Sequence, residues 1–188
     1  MDEVVLARHG ESEQSALGIV GGDGPLTVAG REQARALRSQ LAAFRASVCI
    51  TSGALRARET AAIVLEGRDV PVEIDGDLGD IGFGEFEGRP LEEYRDWVSS
   101  HAPTEAAPGG ESRRDTLSRF ATALSRLLER DEPHVLVVAH GLTLRAVLDE
   151  RPEPVVAGTP YGSAVRLQRD ELAFALQRLA RWCERPAW

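Results

Sequence analysis

The chain has 188 residues, of which 43% are hydrophobic and 28% charged; that balance suits one soluble domain with its own core and excludes a disordered polymer. A net charge of −8 argues against a general nucleic-acid or anionic-membrane surface and leaves room for a local basic pocket. All 22 basic residues are Arg, and Lys and Asn are absent, so Schiff-base and P-loop lysine chemistry are excluded.

Val4 to Ala7 is a short apolar run that predicts a buried strand, ending at Arg8-His9-Gly10. Residues 18–25 are a glycine-rich loop. Thr27 then reads as an N-cap, and Ala34, Leu37, Leu41 and Phe44 recur at helical spacing. Val48 to Ile50 predicts a second buried strand that holds Cys49 and ends at Thr51-Ser52, with a helix over 54–65. Pro71 to Ile74 fits a peripheral strand. Residues 76–90 and 99–110 read as loops around a short helix from Leu91 to Val98. Ser112 caps a helix carrying Leu117, Phe120, Leu124 and Leu127. Val135 to Ala139 is the most apolar strand and ends at His140-Gly141. A helix over 143–148 and a strand over 164–167 follow, and the tail after Arg169 fits either a helix or a strand.

Alternation of strand, loop and helix predicts an α/β fold with a mostly parallel sheet and no separable second domain. In such sheets ligands bind beyond the carboxyl ends of the strands. Three of those ends carry His9, Thr51-Ser52 and His140, which the fold would bring together. Each end by itself is also explained blandly. Arg-His-Gly fits a surface turn, and Arg56 and Arg58 fit a solvated helix with partners at Glu59 or Glu66. Gly10 reads as a place where the backbone comes close to a ligand. Two cysteines, Cys49 and Cys183, are too few for a disulfide framework or a Cys-rich zinc site. No stretch approaches 18 apolar residues and the N-terminus enters its strand at once, so the expectation is a reduced, cytoplasmic protein.

Taken in order, the segments 8–12, 23–34, 51–61, 78–88, 109–119, 139–146 and 160–167 resemble the histidine phosphatase superfamily, the phosphoglycerate-mutase-like fold. The resemblance implies a three-layer α/β sandwich forming a single domain over 1–188, with a small lid insert at about 88–112. It implies His9 as the nucleophile that becomes phosphohistidine, and Arg8, Arg56 and His140 around the phosphate. The second arginine of the family pattern falls on Arg56, not Arg58. Ser15 stands where the family usually has Asn, and the backbone amide of Leu142 matches a phosphate-contacting position. The usual acid, a Glu, falls on Asp80, which is one methylene shorter; Glu85 is the reserve carboxylate, and Glu87 belongs to a structural Glu-Gly pair.

In that chemistry a neutral imidazole attacks phosphorus, two guanidiniums and a protonated His140 match the charge on its oxygens, and a carboxyl with a raised pKa protonates the leaving oxygen. It needs no metal and no other cofactor. The expected activity is hydrolysis of a small-molecule phosphate ester. A phosphoglycerate-type mutase and a non-catalytic phospho-ligand binding protein are the alternatives, the first because the 139–146 segment resembles the mutase form, the second because of Asp80 and Ser15. Mutases usually carry a longer insert than residues 89–108 provide. Arg89, Tyr94, Trp97 and His101 in the lid are expected to meet the leaving group and would suit a sugar, nucleoside or ribazole phosphate. The expected partner is thus a small phosphate ester, without nucleic acid or membrane, and the charge is compatible with a homodimer.

Overall fold

A computed structural model describes residues 1–149 and 158–187. Five strands, β1 (Glu3–Arg8), β2 (Val48–Thr51), β3 (Val72–Ile74), β4 (His134–Ala139) and β5 (Ala164–Gln168), form one sheet in the order β3-β2-β4-β1-β5. β1 pairs in parallel with β4, β4 with β2 and β2 with β3, while β5 runs antiparallel to β1. The helices are α1 (Glu13–Ala16), α2 (Val28–Gln40), α3 (Leu55–Leu65), α4 (Leu91–Ser99), α5 (Arg113–Leu128), α6 (Gly141–Leu148) and α7 (Arg169–Glu184).

The three-layer arrangement follows from strand periodicity. Successive side chains of β1 and β4 face opposite sides of the sheet. Val4, Leu6, Val135 and Val137 pack with Leu124 and Leu127 of α5, Leu144 of α6 and Leu172 of α7. Val5, Ala7, Leu136 and Val138 pack with Leu37 of α2 and Ala57, Ala61 and Val64 of α3. Both faces are covered, which is why these strands read as unbroken apolar runs. Cys49 is fully buried in the second layer, and burial pushes its thiol pKa up to about 12, so it behaves as a small hydrophobe.

Helix starts fall where the capping chemistry puts them. The Thr27 hydroxyl accepts from Gly30 N at 2.9 Å, and Ser112 accepts from Asp115 N at 3.1 Å. The tail left open by its pattern is helical from Arg169 to Glu184. A reciprocal cap between Gln168 and Glu171 starts it, and Leu172, Leu176, Leu179 and Trp182 form its buried stripe. Among the described residues the sequence reading missed the α-helix α1, four residues capped by Ser12 and too short to show a period, and two single 3-10 turns over Gly76–Leu78 and Gly84–Phe86. No helix among the described residues is long and apolar enough to cross a membrane.

Gly10 is also required by a contact within the chain. A Cβ there would lie 2.3 Å from the backbone oxygen of Gly30, and a Cβ on Gly30 would lie 2.0 Å from the oxygen of Glu11. The backbone thus makes a close approach within the chain, between the end of β1 and the first turn of α2. Gly10→Ala should lower stability by about 1–3 kcal/mol, the usual scale of overpacking. Gly76→Ala, where a Cβ meets nothing within 4 Å, should change it by less than about 0.5 kcal/mol. Urea titration of the two variants measures both, and equal effects would contradict the backbone clash.

Candidate active site

Parallel pairing places the ends of β1, β4 and β2 side by side: Arg8 is in register with Ala139, and Thr51 with Val138. His9 and His140, each one residue past its strand, therefore meet, with ring centroids 5.2 Å apart. Both are buried. His9 Nδ1 lies 2.6 Å from the carbonyl oxygen of Gly10. A carbonyl only accepts, so the ring proton sits on Nδ1 and Nε2 keeps its lone pair.

Arg56, in the first turn of α3 and itself buried, connects the groups at this edge. Its Nε donates to His9 Nε2 at 3.3 Å, its Nη1 to the Gly22 carbonyl at 2.9 Å, and its Nη2 to His140 Nδ1 at 3.3 Å. The same Nη2 lies 3.5 Å from Asp80 Oδ2. Because Arg56 has only donors, Nδ1 of a neutral His140 accepts, and its Nε2–H donates to Ser52 Oγ at 2.9 Å. Arg58 is exposed, so the helix register separates the two arginines, with Arg56, the one the family resemblance implied, at the buried edge. Glu59 pairs with Arg31, and Glu66 with Arg38, so neither holds Arg56.

Two neighbouring cavities open over this edge. The smaller, about 120 Å³, is lined by Arg8, His9, Ser12, Ser15, Arg56 and Asp80, among others. Ser15 on α1 has its hydroxyl 2.9 Å from that of Ser12. The larger, about 180 Å³, shares Arg8, Asp80, Phe83 and Leu91 with the first and adds Tyr94, Arg95, Arg113, Gly141, Leu142 and Arg145. Leu142, at the start of α6, thus borders the larger cavity. His140 lines neither and reaches the site through Arg56 and Asp80.

Asp80 stands at the junction of the two cavities, whereas Glu85 is exposed and faces neither. Glu87 instead accepts from the backbone amides of Gly22 and Phe83, tying the glycine-rich loop to the acid loop. Sequence reasoning missed Arg119, on α5. Its guanidinium donates to the carbonyls of Asp77 at 2.7 Å, Gly79 at 3.0 Å and Asp80 at 3.1 Å, and pairs with Glu111. Arg119 thereby holds the Asp80 backbone in place, in a segment outside the sheet. It missed Tyr161 as well, whose ring lies 3.7 Å under the guanidinium carbon of Arg8. The nearby Arg8 Nη1 donates to the Thr159 carbonyl. Of the four lid residues expected at the leaving group, only Tyr94 lines a cavity. Trp97 stacks on His101 with centroids 4.2 Å apart, and Arg89 pairs with Glu93.

The electrostatics differ from the expectation in two respects. Burial holds His140 down to about 4 against the pull of Asp80, so it is neutral at pH 7 rather than protonated. Burial pushes the Asp80 carboxyl up, but His140, which carries a proton only in the acid range where the two titrate together, and Arg56 outweigh it, and the pKa lies below the usual carboxylate range. His9 is held well below an ordinary imidazole chiefly by burial, so it too is neutral.

Residues 4–154 match the histidine phosphatase superfamily (branch 1). The chain belongs to that superfamily. A 2,3-bisphosphoglycerate-dependent phosphoglycerate mutase of Methylobacterium sp. is 34% identical, covering 87% of this chain and 88% of its own. An adenosylcobalamin/alpha-ribazole phosphatase of Salmonella typhimurium is 36% identical over 72% of each chain. The crystal structure of a putative alpha-ribazole-5'-P phosphatase from Escherichia coli superposes with a TM-score of 0.76 at 27% identity, covering 89% of this chain and 90% of that one.

The buried neutral histidines set a pH dependence of stability. His140 binds a proton at about 4 when folded and near 6.5 when unfolded, so between these values the unfolded chain holds more protons. Stability is complete above pH 6.5 and falls on acidification through that window, by about 3 kcal/mol for His140. His9 acts in the same direction. Urea titrations at pH 7 and pH 4.5 should show a smaller fall for His140→Gln than for wild type, and an equal fall would contradict the assignment.

Proposed function

We propose that the chain is a phosphomonoesterase that works through phosphohistidine at His9. The observation that carries this reading is the unprotonated His9 Nε2 beside Arg56, at a cavity that Asp80 also lines. Phosphate enters the smaller cavity between Arg8, Arg56 and the Ser15 hydroxyl, and the leaving alcohol extends into the larger one. The N-terminus of α6, through the Leu142 amide, adds a donor from that side.

His9 Nε2 attacks phosphorus. The N–P bond forms as the P–O ester bond breaks, and Asp80 gives its proton to the departing oxygen. Water then attacks phosphorus, Asp80 takes its proton, and phosphate leaves with His9 restored. His140 acts through Arg56, holding the guanidinium that faces the transferring oxygens. Asp80 is ionised beside Arg56 when no ester is bound. A phosphate dianion repels its carboxylate and competes for Arg56, so a proton enters the site with the substrate. The segment 88–112, which carries α4 and lines the larger cavity, serves as the lid in this scheme.

Rapid acid-avoiding quench with a labelled ester should trap an acid-labile phosphoenzyme with its label on His9. Label on Ser12 or Ser52 would overturn the mechanism. The role of Asp80 is separable by leaving group, because p-nitrophenolate departs unaided while an alkoxide needs a proton. Asp80→Asn should lower kcat for an alkyl phosphate by about 100-fold or more and for p-nitrophenyl phosphate far less. Equal losses would remove Asp80 from the acid role. A phosphoglycerate-type mutase is a second reading, favoured by the similarity to the Methylobacterium enzyme; isomerised ester in place of released phosphate would establish it.

A further inference from the structure

The outer side of the helical layer carries a groove of about 450 Å³ between α5 and α7. Ala121, Ser125 and Leu128 of α5 and Ala173, Leu176 and Ala180 of α7 are among the residues that line it, and none of these borders either active-site cavity. Beside it, Phe174 of α7 is 66% exposed. Folding gains nothing by leaving an aromatic ring in water next to an apolar groove, whereas contiguous apolar surface of this kind marks an interaction site.

The sequence of α7 selects the occupant. Asp170, Phe174, Gln177 and Arg181 are all exposed and follow one another at steps of four, three and four. Those steps are the a/d spacing of a heptad, so the four side chains form one stripe along the outermost side of the helix. A carboxylate stands at one end of the stripe and a guanidinium at the other, and neither makes an ion pair among the described residues. Neighbouring charges are engaged within the chain: Glu171 in the cap with Gln168, Arg178 at the Val147 carbonyl, and Arg126 with Asp75 and Asp77. The two end charges also complement the helix dipole, but the dipole explains neither the exposed ring nor the groove.

Read backwards, the stripe is complementary to itself. A two-fold axis crossing α7 midway between Phe174 and Gln177 sets Asp170 of each copy against Arg181 of the other, and Phe174 against Gln177. The groove is centred at the same level of α7, so the same axis brings the two α5 faces together over it. Sixteen residues make α7 about 24 Å long, and two adjacent helices are about 20 Å wide, so each copy covers about 500 Å². Two copies together bury about 1,000 Å², the lower bound of a specific interface, which fits a weak, reversible dimer.

We infer that a second copy of this chain docks on the α5–α7 face, with the two α7 helices antiparallel and Asp170 against Arg181 at both ends. Sedimentation velocity of the full chain at low salt, over a concentration series up to about 200 μM, tests this. The wild type should pass from monomer to dimer across the series. Asp170→Arg or Arg181→Asp alone sets like charges against each other at both ends and should weaken the dimer about tenfold or more. The two substitutions together exchange the charges and should restore it. Phe174→Ser, which alters no charge, should weaken it as well and serves if a charge reversal fails to fold. Near-ultraviolet circular dichroism shows which variants are folded. A chain that stays monomeric throughout, a dimer indifferent to the single substitutions, or a dimer that the double exchange leaves weakened overturns the inference.

Discussion

The Arg56 guanidinium is the group through which the rest of the site is held together. One buried cation contacts His9, His140, the Gly22 carbonyl and, at longer range, Asp80. These partners come from the ends of two strands, a glycine-rich loop and an irregular acid loop. A buried charge is tolerated only where its donors are satisfied, so the positions of those four segments are constrained by one side chain. The sheet register does the coarse work, bringing the strand ends within reach, and Arg56 sets the fine geometry.

The electrostatic state of the empty site follows from the same burial. Both histidines are neutral and Asp80 is ionised, leaving Arg8 and Arg56 as the cations over the smaller cavity. In the proposed mechanism this is the useful starting state. The nucleophile has its lone pair, and the acid gains its proton only when an anion arrives to counter Arg56. In that mechanism the raised pKa of the general acid belongs to the complex, since the free protein holds Asp80 below the usual carboxylate range.

Loops carry the remaining precision, and each is fastened by a residue outside the reaction. Arg119 grips three successive regions of the acid loop through carbonyl oxygens, and Glu87 joins that loop to Gly22. Tyr161 lies beneath Arg8 and supports the other guanidinium from below. Such contacts order segments that lack a ladder of backbone bonds, at the cost of concentrating buried polar groups near one edge of the sheet.

Much of this was legible in the linear pattern. Unbroken apolar runs, helical stripes at steps of three and four, and the caps at Thr27 and Ser112 determined the α/β alternation, because those signals are local. The position of His9 and His140 just after predicted strands was enough to gather them, whereas Arg56 joined them through the family resemblance. What the pattern left open depended on contacts between distant segments. Glycine at position 10 is required by the backbone of Gly30, the choice of Asp80 over Glu85 by which carboxylate turns into the cavities, and the neutrality of His140 by its burial behind Arg56. Arg119, Tyr161 and Arg113 carry no local signature, since an arginine on a helix or a tyrosine in a loop looks the same in sequence whether it faces water or a cavity. Only the packing of the sheet edge decided which it was, because burial and charge neighbours are set by tertiary contact and not by spacing along the chain.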